Sequence, residues 1–316
     1  MWSIVERNPI ASVIILTKNN SKDVGICLKG VFDQELKQFE VIVIDSGSSD
    51  GTVDIASTFN VRVENINPTE FHHGRTRNLG ASLAKGRFIV FLAPDAYPVG
   101  STWLRNLIAP FEDAKVAATY GRQIPKHDTN LIERFFLQQI YPETKKTYSR
   151  RDLDEGNPER IVLLSDVCSA LRKDVWETLR FDEKIIMSED QEIARRILKE
   201  GLMIAYEPKC QVYHSHNYSL IDVFRRYFDS GESMTEIMKS TVSPSRSLGY
   251  AFRLLKGSII FALQNQTERK LYWVIYSFAY NFLKVLGFMC GTRKRSIPPF
   301  LLEWLSHTRY RISLNR

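Results

Sequence analysis

A mostly parallel, doubly wound α/β sheet followed by a helical C-terminal annex is the fold class this sequence predicts. Three observations carry it. Short apolar runs alternate with helically spaced segments over roughly the first hundred residues, as in a sheet covered by helices on both faces. Asp45 and Asp95 each stand at the end of such a run, on the edge where open α/β sheets bind ligands. From Leu220 onward the pattern is chiefly helical. With 316 residues, 44% of them apolar and 25% charged, the chain can bury one large core or two modest ones.

Taken in order, residues 11–16 are apolar and open into Thr17-Lys18-Asn19-Asn20, the pattern of a buried strand and its exit loop. Val24, Cys27, Leu28 and Val31 give residues 23–32 one apolar helical face. Residues 39–44 predict a second buried strand ended by the polar turn 45–51. Residues 52–59 then read as helix and 61–66 as a short strand. Residues 78–85 predict a helix stopped at Gly86. Residues 87–92 predict a strand ending at Ala93-Pro94-Asp95. A helix over 102–110, with Trp103, Leu107 and Ile108 inward, precedes a strand at 116–119. Residues 126–160 are polar and irregular, with a short helix at 131–139; such an excursion is either a cover over a site or surface without a role. Residues 161–164 restore apolar character. Helices are expected at 173–179 and 190–200, the second stopped by Gly201, and short strands at 203–206 and 211–216. The expected division is a catalytic core over residues 1–225 and a basic helical annex over 226–316.

Composition narrows the function. Cys27, Cys168, Cys210 and Cys290 have no metal-ligand spacing and no disulfide framework. Residues 1–9 carry Glu6 and lack the pattern of a secretory signal, so a cytoplasmic setting is expected. The net charge is +7, and residues 291–316 hold six basic side chains against Glu303. Beside the uncharged apolar run 271–283, that tail fits anionic lipid. The run is short for a membrane span, so the annex either lies on the inner-membrane surface or packs against the core or a second subunit as a homodimer. No recognition helix or RNA-binding signature accompanies the charge, and nucleic acid is not expected as a partner.

Four polar segments carry the candidate chemistry: IDSGSSDGT, FHHGRTRN, LAPDA and SEDQE. Asp45 can accept a hydrogen bond from a nucleobase imide or ribose, with Ser46 following it; turn capping is the competing reading, and Thr17 and Asn19 in the loop after the first strand are further candidates for the nucleotide. Asp50 either contacts ligand or caps the helix after it. The glycines form neither a phosphate loop nor a dinucleotide fingerprint. Asp95 is the hard oxygen ligand for Mg2+ or Mn2+ on a nucleotide diphosphate. His214 and His216 alternate along an expected strand, share a face, and can complete the metal shell. Arg75 and Arg77 can receive phosphate or fix carboxylates. Asn78 binds donor or caps its helix, and Phe71-His72-His73-Gly74 can turn against the donor sugar. Asp190 is the candidate general base for an acceptor hydroxyl, with adjacent Glu189 orienting; helix capping is the alternative for this pair.

Together these segments resemble the inverting family 2 glycosyltransferases of GT-A nucleotide-sugar fold, in a subgroup like the bacterial rhamnosyltransferases. The matching stretches are SVIILTKNN, VIVIDSGSSDGT, FHHGRTRNLGASLAKGRFIVFLAPDAYP, YGRQIP, SEDQEIARRILKEG and VYHSH, spanning about residues 10–230. The resemblance implies that Asp45 and Thr17 hold the pyrimidine nucleotide, Asp95 the metal, and Asp190 the proton. It also implies that His214 lies near metal and diphosphate, with His216 as the fallback. It implies dTDP-β-L-rhamnose as donor, with a UDP-sugar as the alternative, and a lipid-linked glycan or O-antigen-type polysaccharide precursor as acceptor. One departure stands out: the family's paired acids before the fourth helix are here Ala93-Pro94-Asp95, so the first acid is absent. The QxxRW signature of processive members is also missing, and Arg225-Arg226-Tyr227 does not replace it. Addition of one sugar, or a few, rather than chain polymerisation is therefore expected. The rival readings are a nucleotidyltransferase, which would release pyrophosphate, and a noncatalytic glycan-binding protein.

Overall fold

The computed structural model describes residues 8–153, 164–238, 244–265 and 268–308. Strand β1 (Ala11–Thr17) and strand β2 (Phe39–Asp45) run parallel with Thr17 opposite Asp45. Helix α1 (Val24–Phe32) joins them and buries Val24, Cys27, Leu28 and Val31, the face its spacing predicts. After β2 come helix α2 (Thr52–Ala56), strand β3 (Arg62–Asn65) and helix α3 (His73–Leu83). Strand β4 (Phe88–Leu92) is buried at every position and lies parallel to β1. The order β3-β2-β1-β4 is thus the expected parallel sheet.

Beyond β4 the sheet turns mixed. The two-residue strand β5 (Tyr97–Pro98) and helix α4 (Trp103–Ile108) lead to strand β6 (Val116–Ile124). Helix α5 (Leu131–Ile140) and strand β7 (Lys146–Tyr148) occupy the irregular excursion. Strand β8 (Cys168–Arg172) inserts antiparallel between β4 and β6. Helices α6 (Lys173–Leu179) and α7 (Glu189–Lys199) precede strand β9 (Met203–Tyr213), which is parallel to β6. One bulged strand replaces the two short ones expected: the β6–β9 register shifts between Gly121 and Arg122, where Glu207 gives way to Gln211. Most of the expected apolar run at 161–164 lies outside the described residues. Helix α3 begins five residues before its expected start, so the His-His-Gly-Arg stretch is largely helix and not a turn.

Apolar side chains pack on both faces of the sheet. Ile14, Ile42, Ile44, Ile89 and Phe91 point to the α3, α6 and α7 side. Val13, Ile15, Val41, Val43 and Val90 point to the α1 and α4 side. That alternation along each strand is the two-residue period of β structure.

The annex comprises helices α8 (Leu220–Met238), α9 (Pro244–Asn265), α10 (Lys270–Thr292) and α11 (Pro299–Leu305). The expected boundary at residue 225 falls inside α8. Helices α8 and α10 meet along a seam of small residues. A Cβ on Gly287 would stand 2.3 Å from the Phe224 carbonyl oxygen, and one on Gly291 would stand 2.0 Å from that of Phe228. Only glycine lets the two backbones approach so closely. Leu131, Ile132, Phe135 and Phe136 of α5 join Val223 and Tyr280 in a third core that fastens the C-terminal helices to the sheet-bearing part of the chain. Of the basic tail, Arg309, Arg311 and Arg316 lie outside the described residues.

Candidate active site

Arg77, Asp166, Glu189 and Asp190 meet beside the end of β4. Arg77 rises from α3 with its guanidinium 5.9 Å from the Phe91 ring centroid. Its Nε lies 2.8 Å from Asp166 Oδ2 and its Nη1 2.6 Å from Glu189 Oε1. Asp166 sits on the turn entering β8. The neighbouring Val167 carbonyl accepts from the Ala93 N–H at 3.0 Å, which holds that turn against the exit of β4. The Ser169 hydroxyl donates to Asp166 Oδ1 at 2.6 Å. The Asp166 N–H reaches Asp190 Oδ2 at 3.3 Å, and the Gln191 N–H reaches Asp190 Oδ1 at 2.8 Å. Asp190 therefore stands at the start of α7 yet faces the edge that carries Asp95.

Three acids against one guanidinium cannot all ionise easily. Burial pushes the Asp190 carboxyl well above the usual carboxylate range; the charges of Glu189 and Asp166 push it further, and Arg77 offsets only part. Burial likewise lifts Asp166 to about 6 against the pull of Arg77. For Glu189 burial also raises the carboxyl, but Arg77 and His73 outweigh it and the net direction is down. The cluster thus separates an ionised partner for Arg77 from a carboxyl poised to exchange a proton, the division of labour acid–base catalysis needs.

A second cluster lies at the end of β9. Strand structure stops at Tyr213, but both following histidines turn toward Asp95. His214 Nε2 is 3.6 Å from Asp95 Oδ1 and His216 Nε2 is 3.5 Å from Asp95 Oδ2. One donor atom from each of the three falls within 4.8 Å of the others. The amide nitrogen of Gln123 donates to the Tyr141 and Ser165 hydroxyls, so its oxygen accepts from His214 Nδ1 at 2.9 Å. That bond fixes the tautomer and leaves Nε2 with a lone pair facing Asp95. Burial, then His216, Lys126 and Arg226, drive the His214 pKa well below its usual value, so the ring is neutral. One carboxylate and two imidazoles suit a borderline divalent cation such as Mn2+, and the set fits a metal despite the missing first acid.

The nucleotide candidates sit at the ends of β1 and β2. The carboxylate of Asp45 is 2% exposed. It accepts from the Thr17 hydroxyl at 2.9 Å, the Gly47 and Ser48 N–H groups at 2.9 and 2.8 Å, and the Ser48 hydroxyl. Ser46 donates its hydroxyl to the Thr17 carbonyl at 3.1 Å. Asn19, at φ 53°, joins this turn by accepting from the Ser49 N–H. Asp50 binds the Thr52 hydroxyl and N–H and the Ser21 N–H, which lowers its pKa, the Thr52 hydroxyl contributing most; it lies one residue before the N-cap Gly51 and its carboxylate is taken up by these local bonds.

Two candidates are not brought into the clusters. Asn78 lies within α3 and uses both ends of its amide: it donates to the Phe181 carbonyl and Glu183, and accepts from the Trp176 indole and the Phe181 N–H. Neither an N-terminal cap nor a donor contact fits a side chain so occupied. Arg75 pairs with Glu183 at 3.2 Å on the surface. Two residues not singled out in the sequence, Asp166 and Gln123, hold the clusters in place. Asp166 follows the apolar run before β8, and Gln123 lies in YGRQIP, so their positions were visible although their roles were not.

The profile of the family described as Glycosyl transferase family 2 matches residues 12–180. The chain belongs to that family. Among curated relatives, this glycosyltransferase is 35% identical over 267 residues to the O-antigen chain rhamnosyltransferase WbaN of Salmonella anatum, covering 82% of this chain and 81% of the relative. It is 33% identical to the O-antigen chain rhamnosyltransferase RfbN of Salmonella typhimurium, covering 91% of each. Among solved structures it is similar to the mannosyltransferase PcManGT from Pyrobaculum calidifontis in complex with GDP-Man and Mn2+, with TM-score 0.60, 16% identity, and coverage of 91% and 87%. It is also similar to TarS 1–349 of S. aureus in complex with UDP, with TM-score 0.53, 18% identity and 92% of each chain covered. The glycosyltransferase therefore has the GT-A fold that its sequence predicts.

Proposed function

We propose that this enzyme moves one L-rhamnosyl unit from dTDP-β-L-rhamnose to a hydroxyl of a lipid-linked glycan, inverting the anomeric centre. The observation that carries the transfer chemistry is the Asp190 carboxyl, held ready to accept a proton on the edge that also bears Asp95. The sugar is supported by identity of 33–35% to two rhamnosyltransferases over most of their length. Asp190 takes the acceptor proton as the hydroxyl oxygen attacks; Glu189 stays ionised against Arg77 and keeps the base aimed. Thr17, Asp45, Ser46 and Asn19 form the pocket for base and ribose. Asp95, His214 and His216 would hold a divalent cation, which would neutralise diphosphate charge there.

Membrane attachment at the cytoplasmic face is part of the same proposal. Helix α10 is long and apolar enough to cross a membrane, with mean hydropathy 1.3. Its inner face grips α8, while Leu271, Ile275, Phe278, Phe282 and Met289 form an exposed stripe. Lys284 turns inward, 3.8 Å from the Phe136 ring centroid, so no charge interrupts that stripe between Lys270 and Arg293. An amphipathic helix of this kind lies in the interface, with basic ends toward anionic headgroups. A mass-spectrometric screen pairing sugar nucleotides with lipid-linked glycans tests the whole reading. Gain of one deoxyhexose from the dTDP donor is expected; transfer of a hexose from UDP instead would remove the rhamnosyl assignment.

A further inference from the structure

We infer that Arg226, carried from the annex by α8, binds the diphosphate of the sugar nucleotide. The inference rests on glycosyl transfer but not on which base or sugar the donor carries. Its neighbour Arg225 is structural: it is 7% exposed, donates to the Trp304 carbonyl at 2.8 Å and packs on the Trp304 ring. Arg226 faces the other way. Its guanidinium lies 4.5 Å from the Tyr218 ring centroid; Tyr218 lies 4.9 Å from the His216 ring; His216 lies 3.5 Å from Asp95. Guanidinium, phenol, imidazole and carboxylate thus form a row that ends in the metal cluster. The same cation also acts on the other cluster. After burial, Arg77 and His72, it disfavours protonation of His73, whose Nδ1 lies 3.5 Å from Arg77. Arg226 therefore stands between the centre that holds the leaving group and the centre that holds the base.

Charge accounting gives it an anion to bind. Arg75, Arg77, Arg122, Arg172 and Arg196 each have a carboxylate within ion-pair distance. Among the described residues Arg226 has none, and its side chain contacts the Tyr218 ring instead. Glu133 feels its charge, but burial raises that carboxyl and no ion pair forms, so the half-buried guanidinium is costly until an anion joins it. Lys126, the other cation near His214, is already engaged with Asp23 at 3.7 Å and the Tyr97 hydroxyl at 3.2 Å. The metal cluster has one acid where the family has two. As the glycosidic bond breaks, its electron pair passes to the diphosphate oxygen. The anomeric carbon bonds to the acceptor oxygen, and the acceptor proton goes to Asp190. The departing diphosphate gains a negative charge in that step, and a planar guanidinium is well shaped to receive it.

The test is calorimetric titration of the full chain with UDP, dTDP, UMP and dTMP in the presence of Mn2+. Arg226→Gln is expected to weaken the diphosphates about tenfold or more while changing the monophosphates less than about twofold. Arg226→Lys, which keeps the charge, is expected to retain most of the diphosphate preference. Equal losses for both nucleotide classes, or a lysine variant as weak as the glutamine one, would assign the side chain to packing on Tyr218 and overturn the inference. Tighter binding of UDP than dTDP would count against the rhamnosyl donor and leave the role of Arg226 intact.

Discussion

Arg77 is shared by two carboxylates with a third acid beside them, and the protonation of that small group sets what Asp190 can do. Asp190→Asn keeps the shape of the site but removes the proton acceptor. Transfer is expected to fall by about 10²–10⁴-fold, the usual worth of a general base, with donor affinity nearly unchanged by titration. Full transfer by that variant would defeat the assignment. The pH dependence has a definite sign. As the proposed base, Asp190 works deprotonated and its pKa is raised, so kcat/KM is expected to fall as pH falls through a value well above the usual carboxylate range. Asp166 contributes to that rise. Asp166→Asn is therefore expected to move the acid limb of the kcat/KM profile to lower pH, while a purely structural role would lower the plateau and leave the limb in place. At this scale the sequence was legible for position: Asp95 and His214 come together, and Asp190 reaches the turn beside β4, while their roles belong to the proposal. Asp50, Asn78 and Arg75 have the same residue types, but their polar atoms are taken by local partners that linear text does not display.

Helices and strands were read most securely where apolar periodicity was strong. Helix α1 and strands β1, β2 and β4 came within a residue or so of expectation. Helix α3 was clipped because His73-Gly74-Arg75-Thr76-Arg77 carries no apolar period; its start is fixed by packing, including Gly74 against the Asp182 carbonyl. Strand β8, CSALR, is short and contains an arginine, so only its position between β4 and β6 makes it a strand. Pro208 split β9 in the sequence, whereas the bulge absorbs it in the sheet. The α8–α10 seam gives a sharp test. Gly291→Val sets new carbons against the Phe228 carbonyl and is expected to destabilise the protein by about 1–3 kcal/mol, read as a lower midpoint in denaturant. The outer stripe gives another. Phe282, 65% exposed, touches little inside, so Phe282→Asp is expected to leave the melting temperature unchanged while reducing co-sedimentation with phosphatidylglycerol vesicles. Unchanged sedimentation would count against attachment through α10.

For the molecule as a whole, the candidate site draws on two halves of one sheet. The parallel half brings Thr17 and Asp45; the mixed half brings Asp166, Gln123 and the histidines to the same edge. The parallel half was readable from alternation alone. The mixed half was not, since strand order beyond β4 follows from long-range pairing that no local pattern encodes. Chelation followed by dialysis is expected to abolish transfer, with Mn2+ restoring it, because a set of one acid and two imidazoles would hold a cation loosely enough to be stripped. Activity that survives exhaustive chelation would remove the metal role of Asp95, His214 and His216. The glycine seam carries one more consequence. Helix α10 has the length and composition of a span, but it is fastened along one side to a helix bearing Asp222, Arg225, Arg226, Asp229 and Glu232. It cannot pierce a bilayer without dragging those charges into oil or abandoning its neighbour. A reporter enzyme fused after residue 316 would therefore stay in the same compartment as the nucleotide pocket, whatever a hydropathy plot of the chain implies about its topology.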